Sequence, residues 1–263
     1  MNPDEADDLA RKAQQFDYVR KALGYLGLAL PVTLLGWSAL TGHAFAASIS
    51  DYYHTAMGDV LVGVLWAIGV FLIAYLGYRP TAVERASPRW RDHISDFWVA
   101  KLTGLGAIGV AQFPVRGDQC HGLLPCPISG FTHHSDIVHY SCAGVFFLGT
   151  AVFCLVLFPR GGSTQANIVA TRGGVYPATV WDPRNTYFFR CGVVILAAMA
   201  GLGLYWLAAR AGLTGVTGAL DKVRFFLIAE VAAVLAFAAA WLEKGRALLS
   251  PHRISARMRG AAP

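Results

Sequence analysis

Six long apolar segments, separated by short polar connections, dominate the hydrophobic pattern of this chain. A membrane-spanning helix needs about 20 mostly apolar residues, because the hydrocarbon layer is about 30 Å thick and a helix rises about 1.5 Å per residue. The segments of about that length are residues 22–41, 57–77, 97–113, 137–158, 187–208 and 224–242. The third is the shortest and contains Lys101. The pattern predicts an all-α protein, a polytopic integral membrane protein folded as a six-helix bundle.

The composition supports the membrane interpretation and excludes a soluble enzyme. Of the 263 residues, 55% are hydrophobic and 14% are charged, and the mean hydropathy is +0.46. A soluble domain has about 25% charged residues, and six buried apolar helices in so short a chain would have nothing to cover them. We therefore predict a polar cytoplasmic N-terminus at 1–21, a six-helix transmembrane domain at 22–244 and a basic cytoplasmic tail at 245–263.

Positive charge is distributed unequally between the two sides of the predicted membrane domain. Of the 22 Lys and Arg residues, 16 fall on the side that holds both termini and 4 fall on the other side. Because basic connections stay in the cytoplasm, this split predicts that both termini are cytoplasmic. The basic residues are scattered and are not grouped with aromatic residues, so nucleic acid is not expected as a partner.

The first apolar segment ends in a sequence that resembles a signal-peptidase site. The run is HAFAAS, in which Ala44 and Ala46 are the small residues. A signal peptide has an apolar core of about 7–15 residues after a short basic leader, whereas this apolar run is longer and follows about 21 polar residues. We predict a retained anchor, with cleavage at Ala46 as the alternative.

The five cysteines fall into two groups. Cys120 and Cys126 lie together in the connection predicted to be outside the cytoplasm, where an oxidising compartment permits a disulfide. A Cys/His metal site that includes His121 is the alternative. The other three cysteines lie within predicted spans and are expected to behave as small hydrophobic residues.

Polar and ionisable residues are concentrated where three of the predicted spans begin on the non-cytoplasmic side. Span two begins with SISDYYH and span four with HHSDIVH, and Glu230 lies about two turns inside span six. The pattern Asp-x-x-His occurs twice, at Asp51/His54 and at Asp136/His139. Residues three apart share one helix face, and ionisable residues inside a membrane indicate a functional site. The sequence therefore predicts a polar pocket between spans two, four and six.

The residue types in this pocket are those of a divalent metal site. Zinc binds imidazole nitrogen and carboxylate oxygen in a tetrahedral arrangement, and a catalytic zinc keeps one position for water. The candidate zinc ligands are His54, His139, Asp51 and Asp136. The candidate catalytic residues are Glu230, Asp59 and Ser50, with Glu230 or Asp59 as general base. This interpretation predicts a metal-dependent hydrolase or remodelling enzyme that acts on a lipid.

A structural interpretation of the same residues remains open. Ser50, Asp51 and Asp136 also suit helix caps, and Asp59 and Glu230 could form hydrogen bonds between helices. The alternative function is then a non-catalytic membrane protein that binds a lipid or a protein partner. A homo-oligomer is left open, and transport has less support because the polar groups lie toward one side.

Three runs carry a resemblance to a known family. They are SISDYYHTAMGDVLVGVLWAIGVFLIAYLGY, VHYSCAGVFFLGTAVFCLVLFP and FFLIAEVAAVLAFAAAWLEKG. Together they resemble a bacterial family of six-helix membrane proteins of unassigned function, which is similar to the Frag/DRAM/Sfk group. The resemblance covers about residues 20–246 and implies a six-helix bundle in the bacterial inner membrane. Some members of the wider group are associated with lipid remodelling, which implies a lipid as ligand.

A weaker resemblance concerns the membrane hydrolases that include the alkaline ceramidases and the progestin/adiponectin receptors. Their Ser-x-x-x-His element is similar to the spacing of Ser50 and His54. The chain departs from their pattern because it lacks His-x-x-x-His near its C-terminus and has six predicted spans instead of seven. The resemblance suggests zinc amidase chemistry without supplying the complete ligand set.

Overall fold

The computed structural model describes residues 3–77, 93–115, 135–159 and 183–245, with the backbone only for 3–16, 135 and 183. Several predictions concern residues outside these ranges. The Cys120–Cys126 disulfide and its alternative with His121 lie there, as do His133 and His134 and the tail after Gly245.

The described residues are helical and contain no strand, which confirms the all-α prediction. The helices are α1 (Pro3–Thr41), α2 (Gly58–Ala74), α3 (Asp96–Gln112), α4 (Ser135–Val152), α5 (Pro183–Arg210), α6 (Thr214–Lys222) and α7 (Phe225–Lys244). A 3₁₀ turn at Ser50–His54 precedes α2, and one π-helical turn, Phe153–Leu157, continues α4.

Four of these helices are long and apolar enough to cross a membrane. The apolar stretches are Asp17–Thr41 in α1, Asp136–Leu157 in α4 and its π turn, Arg184–Arg210 in α5, and Phe225–Lys244 in α7. They coincide with predicted spans one, four, five and six. Helix α2 is apolar but has 17 residues, and α3 has the same length. The structure is therefore that of a helical membrane protein, and the count of six spans stays a prediction.

The six long helices pack as a closed ring. Contacts join α1 to α2, α2 to α3, α3 to α4, α4 to α5, α5 to α7, and α7 back to α1. Neighbours in the ring run in opposite directions, because the start of each helix lies near the end of the one before it. We call the end that contains the turn Ser50–His54 the Ser50 end, and the opposite end, where α7 finishes, the Lys244 end.

Close contact between α2 and α3 depends on two glycines. A Cβ atom on Gly104 would lie 2.6 Å from the carbonyl oxygen of Gly69, and one on Gly69 would lie 2.8 Å from the carbonyl oxygen of Gly104. These distances are shorter than van der Waals contact, and the atoms concerned belong to the backbone. Small residues allow helix backbones to approach each other in membranes, so this pair fixes α3 and its C-terminal Phe113 next to α2.

The core of the ring has two parts. At the Lys244 end, aromatic side chains surround Trp241, with ring centroids 4.9 Å away at Phe158 and 5.3 Å away at Phe153 and Tyr75. At the Ser50 end a smaller cluster of buried residues surrounds Tyr52. The smaller cluster leaves space beside it, and that space contains the candidate site.

Candidate functional site

The turn Ser50–His54 is held in place by neighbours on both sides of Ser50. The Ser48 backbone N–H donates to the Asp51 carboxylate at 3.0 Å, and the Asp51 backbone N–H donates to the Ser48 hydroxyl at 3.0 Å. The hydroxyl groups of Tyr52 and Ser38 form a buried hydrogen bond of 2.8 Å. Reciprocal bonds of this kind are typical of a capped helix start, and here they fix a turn between α1 and α2.

Glu230 connects this turn to α7. One of its carboxyl oxygens accepts the backbone N–H of Ile49 at 2.5 Å. Ile49 is buried and immediately precedes Ser50, so Glu230 fixes the backbone from which Ser50 projects. The prediction of Glu230 as general base is not tested by this geometry.

His139 forms a hydrogen-bonded chain with Ser50. Its Nδ1 lies 2.7 Å from the carbonyl oxygen of Phe113, and its Nε2 lies 3.0 Å from the Ser50 hydroxyl. A carbonyl oxygen can only accept, so Nδ1 carries the proton and donates it. In the neutral ring Nε2 then accepts from Ser50. The imidazole is 3% exposed, so burial and two hydrogen bonds fix its orientation.

His54 makes a different contact. Its Nε2 donates to the carbonyl oxygen of Val115 at 2.7 Å. His54 and His139 therefore both hold the backbone that follows α3, at Val115 and Phe113. Their bonded nitrogens point to different partners, and within residues 3–77, 93–115, 135–159 and 183–245 no three His, Cys, Asp or Glu side chains form a group suited to a metal ion. Zinc binding stays a prediction.

The remaining predicted site residues occupy the same end of the bundle but differ in their surroundings. Asp136 lies in the first turn of α4, one turn before His139, and is half-buried. Asp59 lies in the first turn of α2 with an exposed side chain. Two cavities adjoin Ser50, and Asp59 lines neither of them. The geometry therefore lends no support to Asp59 as general base.

Two adjoining cavities meet at Ser50 and Glu230, and both residues line both of them. The narrow cavity has a volume of about 50 Å³ and the wide cavity about 270 Å³. Apolar residues dominate the narrow cavity, which reaches into the ring: Leu30, Leu61, Leu65, Val110, Phe146, Phe147 and Val234. Polar residues line much of the wide cavity: Ser48, Asp51, Tyr140, Tyr205, Asp221 and Arg224. His139 faces the narrow cavity.

The far wall of the wide cavity comes from α5, α6 and the start of α7. The Tyr205 hydroxyl donates to Asp221 at 2.7 Å. Arg224 adopts a left-handed backbone conformation, with φ of 51°, directly before α7, and its guanidinium donates to the carbonyl oxygen of Phe45. These contacts were missed by sequence reasoning. The only signal in the sequence is that the residues lie at the ends of predicted spans five and six.

A second buried polar cluster lies at the Lys244 end. Glu243 is 0% exposed, and its carboxylate lies 3.5 Å from the guanidinium of Arg184. Lys244, 9% exposed, donates to the carbonyl oxygen of Phe158 at 2.9 Å. Arg184 and Lys244 belong to the 16 basic residues on the side predicted to hold both termini, and the structure buries Lys244 beside the rings of Phe158 and Phe188. Arg184 also donates to the Glu243 carbonyl at 3.3 Å, so this cluster closes the C-terminus of α7.

Comparison with protein-family models, with curated proteins and with solved structures found no match to the chain. The resemblances to the bacterial six-helix family and to the alkaline ceramidases therefore stay predictions, and the function must be argued from the geometry of the site itself.

Proposed function

We propose that the protein binds a membrane lipid in the two adjoining cavities at the Ser50 end. The observation that carries the proposal is the pairing of a wide polar cavity with a narrow apolar one that shares Ser50 and Glu230 with it. A lipid has the same division, since its polar head group is joined to an apolar chain. Binding sites are concave and mostly apolar, with a few polar groups that fix orientation.

The sizes of the cavities assign the parts of the ligand. A cavity needs about 10–15 Å³ of volume to hold one group the size of a water molecule. By this measure the wide cavity accommodates about twenty such groups and the narrow cavity about four. A phosphorylated head group fits the wide cavity. The narrow cavity takes the first carbons of an acyl chain, which places the ester bond of that chain beside Ser50.

The charges in the wide cavity favour a head group with charges of both signs. Three carboxyl groups line it, from Asp51, Asp221 and Glu230, together with the guanidinium of Arg224. An amine on the ligand suits the carboxylates, and a phosphate suits the guanidinium, which binds phosphate oxygens in pairs. A zwitterionic phospholipid carries both groups, so it is the lipid class that we propose.

The placement in the membrane follows from the ring. Helices α2 and α3 are each about 25 Å long at 1.5 Å per residue, close to the hydrocarbon thickness, and as a pair they lie between α1 and α4 in the ring. All six long helices therefore cross the membrane in our account. The excess of basic residues assigns the Lys244 end to the cytoplasm and the lipid site to the opposite leaflet of the bacterial inner membrane.

Filling the narrow cavity is expected to abolish lipid retention. Ala143 lines this cavity, and a phenylalanine there would occupy it. Wild-type protein, purified from bilayers with equal amounts of phosphatidylethanolamine and phosphatidylglycerol, should retain one phosphatidylethanolamine per chain in native mass spectrometry. Ala143→Phe should retain at least about tenfold less, the loss expected when about 1.4 kcal/mol of binding free energy is removed.

The matched control is Val145→Phe, since Val145 lies two residues further along α4 and is exposed. It adds comparable bulk outside the ring and should leave retention unchanged. Val234→Phe fills the same cavity from α7 and should reproduce the loss if Ala143→Phe is poorly folded. Equal retention by wild type and both cavity variants would contradict the proposal.

A further inference from the structure

Ser50 and His139 have the arrangement of a nucleophile and its general base. The Ser50 hydroxyl lies 3.0 Å from His139 Nε2, and the Phe113 carbonyl holds Nδ1 at 2.7 Å on the other side of the ring. Covalent catalysis by serine requires this order of parts: a hydroxyl within hydrogen-bond reach of a base, and a third group that orients the base. Here a backbone carbonyl takes the place that a carboxylate occupies in a serine hydrolase triad.

The position of Ser50 does not depend on His139. Glu230 holds the backbone of Ile49, and the bond between Tyr52 and Ser38 holds the turn two residues later. The hydroxyl is therefore presented to the imidazole by a backbone that is already fixed. Functional groups are effective when their support is independent of the reacting pair, and this turn provides such support.

The pair lies where the two cavities meet. Ser50 lines both cavities, and the largely buried His139 lines the narrow one. A ligand with its head group in the wide cavity and its first acyl carbons in the narrow cavity has its ester carbonyl at the junction. The hydroxyl oxygen thus lies beside an ester bond that a serine nucleophile can cleave.

We infer that Ser50 and His139 perform acyl transfer on a lipid ester, an activity that rests on the lipid binding proposed above. Ser50 Oγ attacks the ester carbonyl carbon while its proton passes to His139 Nε2. The bond from the carbonyl carbon to the lipid alkoxide breaks, and the alkoxide takes the proton from His139 and leaves as an alcohol. The acyl group is then bound to Ser50.

Water completes the cycle. His139 Nε2 accepts a proton from a water molecule, whose oxygen attacks the acyl carbon, and the bond from that carbon to Ser50 Oγ breaks. Ser50 regains its proton from His139, and a fatty acid is released. The balance is one lipid ester and one water consumed, with one fatty acid and one lysolipid formed. His139 acts as base in the attack and as acid for the leaving group in both halves.

An alkyl fluorophosphonate tests the pair directly, because serine attack on its phosphorus breaks the P–F bond and leaves a stable adduct. Wild-type protein in lipid nanodiscs should become modified at Ser50, as located by peptide mass spectrometry. Ser50→Ala should remove the adduct. His139→Gln should slow labelling by about 10²–10⁴-fold, the usual contribution of a general base, and should slow hydrolysis of a butyryl ester equally.

Two matched variants control for unspecific labelling and for general disruption. Ser141 is an exposed serine two residues after His139, and Ser141→Ala should label like wild type. His43→Gln changes an exposed histidine that lines neither cavity and should also leave both rates unchanged. Thermal unfolding of every variant in nanodiscs identifies any that is not folded, and Ser50→Ala removes only the hydroxyl oxygen of a half-buried side chain.

The outcomes separate this inference from the proposed function. Labelling at Ser50 that depends on His139 supports acyl transfer. Absence of labelling in protein that still retains lipid overturns acyl transfer and leaves lipid binding intact, whereas absence of lipid retention in the wild type overturns both. Ester hydrolysis that a chelator abolishes and zinc restores overturns the serine mechanism in favour of the metal-dependent hydrolase predicted from the sequence.

Discussion

Replacing Glu243 by alanine is expected to lower the free energy of unfolding by about 3–5 kcal/mol, the usual cost of removing one partner from a buried ion pair. Glu243 is fully buried and lies 3.5 Å from the Arg184 guanidinium. Its neighbour Lys244 is also buried. Without the carboxylate, two cations remain beside aromatic side chains with less compensating charge, and the Arg184 side chain is only 19% exposed.

Denaturant unfolding in mixed micelles measures this effect. Lys222→Ala is the control, since Lys222 is exposed on α6 at the opposite end, and surface substitutions usually change stability by less than about 0.5 kcal/mol. The double variant Arg184→Met with Glu243→Leu should be more stable than Glu243→Ala, because the Arg184 charge is then removed together with the carboxylate that it faces. A loss below about 1 kcal/mol for Glu243→Ala would show that the cluster is accessible to water.

Replacing Glu230 by leucine is expected to release the turn that presents Ser50. The carboxyl oxygen of Glu230 accepts the backbone N–H of Ile49, and a buried donor without a partner costs about 1–3 kcal/mol. That cost corresponds to faster local opening by about 5- to 150-fold. Amide hydrogen exchange of the peptide that contains Ile49 should increase accordingly.

Glu230→Gln is the matched variant for this change. Glutamine keeps an oxygen acceptor at nearly the same position, so exchange at Ile49 should remain within about threefold of wild type, a difference of about 0.7 kcal/mol. If Glu230→Leu exchanged at the wild-type rate, Glu230 would not be the group that fixes the turn.

The sequence was sufficient to predict four helices that are long and apolar enough to cross a membrane, and the end of the bundle at which the candidate site residues lie. The length of each apolar run predicted these helices, because the thickness of the bilayer determines how long a spanning helix must be. The apolar stretches of α4, α5 and α7 lie within a few residues of their predicted bounds. Polar residues at the heads of spans two, four and six predicted the end of the bundle at which Ser50, His139 and Glu230 now meet. Such residues are costly in a membrane unless they are buried together.

The pairing within the site could not be predicted from the sequence. Ser50 and His139 are 89 positions apart, and their contact depends on how α3 packs between α2 and α4. The carbonyl groups of Phe113 and Val115 bind the two histidines, and a backbone carbonyl has no sequence signal. His54 and His139, which the sequence offers as candidate metal ligands, thus have hydrogen-bond partners that can be identified only from the fold.

The burial of the cluster at the Lys244 end could not be predicted from the sequence for a related reason. The number of basic residues at the ends of the spans predicts which side is cytoplasmic. That number carries no information on whether any one of these side chains is exposed or buried. Lys244 is buried because Phe158 and Phe188 lie within 5.2 Å and 5.9 Å of its ammonium group. Phe158 directly follows the π turn after α4, and Phe188 lies on α5, so their position depends on closure of the ring.

The central claim is that a lipid occupies the cavities at the Ser50 end, and photocrosslinking in bilayers tests it most directly. The probe is a phosphatidylethanolamine with a diazirine on the acyl carbons next to the ester. Our account predicts crosslinks in residues 47–53, 139–147 and 230–234, all lost in Ala143→Phe and kept in Val145→Phe. Crosslinks confined to outward-facing residues such as Leu204 and Leu207 on α5, and unchanged in Ala143→Phe, would contradict it.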